Sequence, residues 1–435
     1  MINRPTPRLR CAVRDQIPTQ PLSLDQLLTP DHPARAVWAF TQGLDLSHLY
    51  DAIKATQNRP GHPHVDPRIL FALWLYATID GIGSAHELDR LCTTHTAYLW
   101  LCGGVSMNYH TLADFRVEHH DWLNDLLTDT VAVLLHQNLV TLNQVAQDGM
   151  KVRASAGADT FRRQPTLEGC LAEARQQVQT LSRQADESNS AVSHRQRAAQ
   201  QRAACEKVQR FQKALDQIPA LRASREAFKK GTGDQARAST TDPEARVMKM
   251  PDGGYRPAYN VQLATDVKSG VIVDAAVATR GTDNGLMAPC VDRIVGRYGR
   301  APKEMLVDAG FGSLTDIDRV QQTHGTTTYM PLKNEKKLQE KGVDPYAPRE
   351  GDTAAVREWR QRMATDWAEE IYKRRSSSAE WVNAGCRNRG WYRVLVRGVE
   401  KVSCCALWQA LAHNLMVALR RVTGHAQATT LSQAG

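Results

Sequence analysis

Tyr372-x-x-Arg375-x-x-x-x-Glu380-x-x-x-x-x-x-Arg387 sets one acid among two arginines and a tyrosine at near-helical spacing. At about 3.6 residues per turn, Tyr372, Arg375 and Glu380 span roughly 140° of a helix surface and can face one cleft. A carboxylate amid phosphate-seeking cations suits metal-dependent phosphoryl transfer on nucleic acid. The commoner use of such a pattern is a solvated ion-pair face, so the motif needs companions. Two further acids upstream, each closing an apolar run, supply them.

The stretch from Leu139 to Val152 reads as a short apolar strand that ends in a turn at Asp148-Gly149. Met305-Leu306-Val307-Asp308-Ala309-Gly310 reads the same way: a brief strand, an acid, then glycine that lets the backbone turn. Asp before Gly at a strand end is also ordinary turn chemistry. In combination, strand-end Asp148, strand-end Asp308 and helical Glu380 are what a two-cation cluster needs. Carboxylates from separate elements converge on Mg²⁺ or Mn²⁺, which favour oxygen ligands. Glu369 and Glu370 are rival third ligands that lack the Tyr-Arg frame.

With these residues the chain resembles the DDE transposases of bacterial insertion sequences, in the subgroup with a Tyr-Arg-Glu-Lys motif around the third acid. The resemblance is carried by Asp148-Gly149-Met150-Lys151-Val152-Arg153-Ala154, by Val307-Asp308-Ala309-Gly310-Phe311, and by Tyr372, Arg375 and Glu380. The stretches Thr241 to Arg246, Tyr255 to Gln262 and Asn108 to Arg116 add to it, so that it covers roughly residues 15 to 422. It departs at Arg387, where the family has Lys; Arg keeps the charge and can bind phosphate bidentately, although the two are not freely interchangeable.

The resemblance implies an α/β fold: a ribonuclease H-like mixed sheet with flanking helices and a helical insertion, behind an all-α N-terminal domain for DNA binding or end recognition. It implies that Asp148, Asp308 and Glu380 are catalytic and hold two Mg²⁺ (or Mn²⁺) ions. Tyr372, Arg375 and Arg387 would position the DNA backbone. Lys151 and Arg153, beside the first acid, are either phosphate contacts or ordinary surface charges. The implied partners are double-stranded DNA, as inverted-repeat ends and as target, and a second copy of the chain on that DNA. The implied reaction is cleavage at the element ends followed by strand transfer. A nuclease without strand transfer and an inactive DNA-binding relative are the alternatives.

The bulk properties agree. The 435 residues suffice for two or three domains, and a net charge of +9 favours a polyanionic partner. The nine cysteines include no Cys-x-x-Cys pair, which suits reduced thiols in a cytoplasm. No leader pattern and no uninterrupted bilayer-length apolar stretch is legible, so a bacterial cytoplasmic, nucleoid-associated protein without a membrane partner is expected.

Along the chain, residues 1–20 read as a loose arm, 21–138 as helical, 139–422 as the catalytic domain, and 423–435 as a disordered tail. Helices are expected over 67–77, from 84 to 91, and from 111 through 135. The segment near 109–120 is the candidate to meet DNA, in a helix-turn-helix or within a plain bundle. His110, His119, His120 and His136 lack metal-ligand spacing and read as helix-surface residues. An antiparallel helix pair is expected at about 167–230, turning at 186–193. A hairpin follows over 259–277, then helix 285–298, the Asp308 strand, helix 315–324, strand 326–330, a mobile connection from 333, and one helix over 354–384. An edge strand at 391–398 and a closing helix at 406–419 complete the reading.

Overall fold

The computed structural model describes residues 23–53, 64–186 and 191–433, so the arm expected over 1–20 lies outside the described residues. Seven helices open the described chain: α1 (Pro33–Gln42), α2 (Ser47–Asp51), α3 (Pro67–Ile79), α4 (Ala85–Thr94), α5 (Thr96–Cys102), α6 (Tyr109–Glu118) and α7 (His120–His136). The Asp66 carboxylate accepts from the Arg68 amide to start α3, and Pro67 occupies the first turn, where an N–H has no helical partner. Every residue from Leu70 to Thr78 is buried, which makes α3 the post around which the others pack. The Ser84 hydroxyl caps α4 at the Glu87 amide.

Two expectations change here. The helix α5 was not foreseen, and the single helix from 111 through 135 is two, broken at His119 (φ −117°, ψ 42°). The break seats the His119 ring edge-on against Phe115 and Trp122. On α6 the one arginine or lysine, Arg116, is buried, while Asp114 and Glu118 are exposed. This helix therefore shows solvent no lysine or arginine side chain.

The second part begins with β1 (Gln144–Arg153) and β2 (Phe161–Arg162), then α8 (Gln164–Asp186) and α9 (Ala191–Phe228). The bonded pairs Gln164–Arg222, Arg175–Gln212 and Ser182–Gln201 show that α8 and α9 run antiparallel, sealed by Leu167, Leu171, Phe211 and Ile218. Of the turn expected at 186–193, residues 187–190 lie outside the described residues, and 186 and 191–193 belong to the two helices. Next come β3 (Ala238–Ser239), β4 (Arg246–Lys249), β5 (Tyr255–Asp266), β6 (Ile272–Ala278), α10 (Met287–Tyr298), β7 (Glu304–Leu306), α11 (Leu314–His324) and β8 (Thr327–Tyr329). The connection after 333 carries a short α12 (Glu335–Gln339).

The main sheet has the order β4-β5-β1-β7-β8, with β6 also pairing β5. β1 is antiparallel to β5 and parallel to β7, which is parallel to β8. With helices packed around it, this mixed sheet is ribonuclease H-like.

The strand carrying the first acid does not end there. β1 runs five residues past Asp148, and Gly149 pairs in register with Gln262. Met150 and Val152 are buried and resume the alternation, which is why the strand continues through the Asp-Gly step. The glycine serves a close approach instead: a Cβ there would stand 2.3 Å from Asp283 Oδ1 and 2.5 Å from Gln262 Nε2.

The long helix expected over 354–384 is likewise divided: α13 (Ala354–Met363), α14 (Asp366–Lys373), a π-helical turn at Ser376–Glu380, and α15 (Trp381–Asn388). Thr365 restarts the chain by capping the Ala368 amide. Residues 391–398 form no strand; they touch the sheet through one bridge, Arg153 to Arg393. The closing helix α16 (Val399–Gln433) is longer than expected, and helical backbone continues to Gln433, where a disordered tail was expected. By length and composition alone its stretch Val399–Arg421 could cross a membrane, a span the sequence reading passed over. Of that apolar window 67% is buried in the protein, against α3, α7 and β6 among others, so it is a core helix.

Candidate active site

Asp148 projects from the middle of β1, Asp308 follows β7, and Glu380 ends the π-turn, so three elements deliver three carboxylates to one guanidinium. Arg375 Nη2 lies 2.9 Å from Asp148 Oδ1 and 3.9 Å from Asp308 Oδ2, and Nη1 donates to Glu380 Oε1 at 2.7 Å. The side-chain exposures grade outward: Arg375 7%, Asp148 18%, Asp308 40%, Glu380 55%. The acids therefore line the wall of a cleft whose floor is Arg375 and Asp148.

Local sequence explains each placement. The Asp308 carboxylate caps a short 3-10 turn, Ala309–Phe311, accepting from the Gly310 amide at 2.7 Å. Arg375 and Glu380 are five residues apart, about 140° on an α-helix, too far round to meet on one face. In a π-turn five residues make about one full turn, which brings them together. The Ser376-Ser377-Ser378 run accompanies this wide turn, its hydroxyls bonding back to Lys373 and Arg374 carbonyls at 2.9–3.0 Å.

Asn383 belongs to the site and was missed by sequence reasoning. Its Nδ2 donates to Asp148 Oδ2 at 2.8 Å, and it is 2% exposed. The signal was the Glu380-x-x-Asn383 spacing, which puts both on one helical face. Tyr372, half-buried on α14, has its phenol pKa raised chiefly by burial; the three acids raise it further and Arg375 opposes them.

The remaining expected residues are placed as follows. Arg387 is exposed on α15, two turns beyond Glu380 and on the same side. Lys151 lies on the sheet face opposite Asp148 by strand alternation, 3.4 Å from Asp283, which also accepts from Asn260 and Gln262 at 2.7 Å. Arg153, at the end of β1, is exposed and does not join the acids. The rivals Glu369 and Glu370 are occupied by Lys373, at 3.3 and 2.7 Å.

The donor set fits a hard divalent cation: three carboxylates, no sulfur and no imidazole. Among the described residues no three acids, histidines or cysteines stand close enough to hold an ion as they are, because Arg375 occupies the space between them. Three negative charges against one positive leave the cleft short of cation.

Burial raises the Asp148 pKa; Arg375 opposes this, and the nearby Asp308 adds to the rise. Cation binding needs the ionised carboxylate, so affinity must fall as pH drops through this raised value, earlier than for an exposed Asp near 3.9. Calorimetry is expected to show weaker Mn²⁺ uptake at about pH 5 than at about pH 7.5; equal affinity at both would contradict a metal role for Asp148.

Two comparisons bear on this geometry. Residues 230–415 match the family model described as Transposase DDE domain, and residues 22–118 match that described as Transposase domain (DUF772). The first match contains Asp308, Arg375, Glu380 and Asn383, while Asp148 enters through the pairing of β1 with β5 and β7. No curated protein and no solved structure matches the chain. The two domain matches support a transposase of the insertion-sequence kind, acting on DNA in transposition.

Proposed function

We propose that this protein cuts DNA at the ends of an insertion sequence and joins the freed 3′ hydroxyl to target DNA. The supporting observation is the meeting of Asp148, Asp308 and Glu380 around one buried guanidinium. These three would hold two Mg²⁺ or Mn²⁺ ions, which when bound supply activation of the attacking hydroxyl and neutralise the leaving oxygen. Asn383 orients the Asp148 carboxylate and the Gly310 amide orients that of Asp308. Tyr372 keeps its proton, since burial and three acids all oppose phenolate; it donates a hydrogen bond to backbone phosphate and is not the nucleophile. Arg387, in solvent two turns along, meets the phosphates that follow. Membership in the Tyr-Arg-Glu-Lys subgroup, a bacterial cytoplasmic setting and a dimer assembled on paired ends complete the reading.

A strand-transfer assay with pre-cleaved end DNA, plasmid target and Mg²⁺ tests it. Joined products are the expected result. With uncut end DNA run in parallel, cleavage there but no joined product from the pre-cleaved ends reduces the protein to a nuclease, and end binding with neither activity reduces it to an inactive relative.

A further inference from the structure

A crevice of about 360 Å³ separates the turn after α3 from the segment after α15, within the range of roughly 300–1,000 Å³ usual for ligand pockets. Gly81 (φ +81°) lets the two backbones touch there: a Cβ would come 2.9 Å from the Arg389 carbonyl oxygen. Four arginines line it, Arg116, Arg153, Arg389 and Arg393, and no acidic residue does. None of the four has a carboxylate partner among the described residues.

Arg116 is the telling one. It is 9% exposed, stacks on Trp74 at 4.7 Å, donates to the Gly83 carbonyl, and leaves Nε without a partner. Arg389 Nε is also buried and unbonded. A buried guanidinium with no counter-charge is costly, so the site is built for an anion that the chain does not supply. Bare phosphate leaves the rest of the crevice unexplained. Tyr392, 63% exposed, offers aromatic surface, and the 7% exposed Gln409 has its amide oxygen unbonded. Arginines for a phosphate, an aromatic face for stacking and an amide for a base edge together describe one nucleotide.

We propose that this crevice binds a single deoxynucleotide unit, phosphate on Arg116 and Arg389 and base against Tyr392, contributed by an unpaired strand of DNA. The crevice lies at the far end of α15 from Glu380, about 13 Å along the helix, so a strand leaving the acids can reach it. DNA processing is assumed only for the source of the nucleotide.

The test is a tryptophan-fluorescence titration of the full chain with metal chelated, using inorganic phosphate, deoxythymidine monophosphate, and a ten-residue single-stranded oligonucleotide. Both nucleotide probes are expected to bind more tightly than phosphate. Arg389→Gln and the surface variant Tyr392→Ala are each expected to weaken them by about tenfold. Asp148→Asn is expected to leave this binding unchanged, so failure of this site and failure of the cleavage reading register separately. Saturation by the mononucleotide but not by the oligonucleotide overturns an unpaired strand as the source and leaves the crevice a free-nucleotide site. Nucleotides that bind no better than phosphate, or wild-type affinity in both crevice variants, overturn the proposal.

Discussion

Asp148→Asn is expected to lower metal-dependent DNA cleavage by about 10³-fold while the protein stays folded and still binds DNA. The size follows from what a two-cation site supplies: several kcal/mol of transition-state stabilisation, at about 1.36 kcal/mol per tenfold in rate. Asn keeps the shape and the Gly149 amide contact but removes the charge that a divalent ion needs. The sign of the pKa shift guards against a trivial explanation. Because burial raises the Asp148 pKa, its ionisation at neutral pH costs the fold free energy, a cost lost again as pH falls below the raised value. A neutral Asn avoids it, so the metal-free melting temperature should not drop. Melting curves with chelator, then with Mn²⁺, check both points: Mn²⁺ should raise the wild-type Tm and leave the variant's nearly unmoved. Undiminished cleavage by Asp148→Asn would remove the acid from the mechanism.

The order of the core elements, the β5–β6 hairpin and the inserted α8–α9 pair were legible, because apolar periodicity reports on local backbone. Several features were not. Asp148-Gly149 looks like a turn until β5 is known to supply Gln262 opposite the glycine and Asp283 above it. Five-residue spacing between Arg375 and Glu380 is compatible with several local geometries, and only the wide turn makes them neighbours. The break at Thr365 hides among good helix formers on both sides. At 391–398 the alternation of Val394 and Val396 imitates a strand, yet this segment bonds the sheet only at Arg153. The crevice joins residues 116, 153, 389 and 393, and no local pattern carries such a convergence.

Arg375→Ala is expected to destabilise the metal-free protein by about 3 kcal/mol, the lower end for breaking a buried pair, since Asp308 and Glu380 are partly solvated. The guanidinium is the cation that three carboxylates share, and its loss leaves mutual repulsion around a mostly buried Asp148. The informative measurement is the difference between two melting curves. If Arg375 serves as counter-charge to the acids, millimolar Mn²⁺ should recover more Tm in Arg375→Ala than it adds to the wild type, because the ions take over the neutralising role and no longer compete with a guanidinium. Arg375→Lys, with a point charge in place of a fork spanning Asp148 and Glu380, should fall between the two. A different pattern would mark the arginine as a DNA contact above all: an unchanged metal-free Tm together with weakened binding of end DNA. In that event the acids must be held apart by the backbone alone, and the tight turn-by-turn placement of Asp308 by the Gly310 amide, of Asp148 by Asn383 and of Glu380 by the π-turn would carry the whole preorganisation of the site.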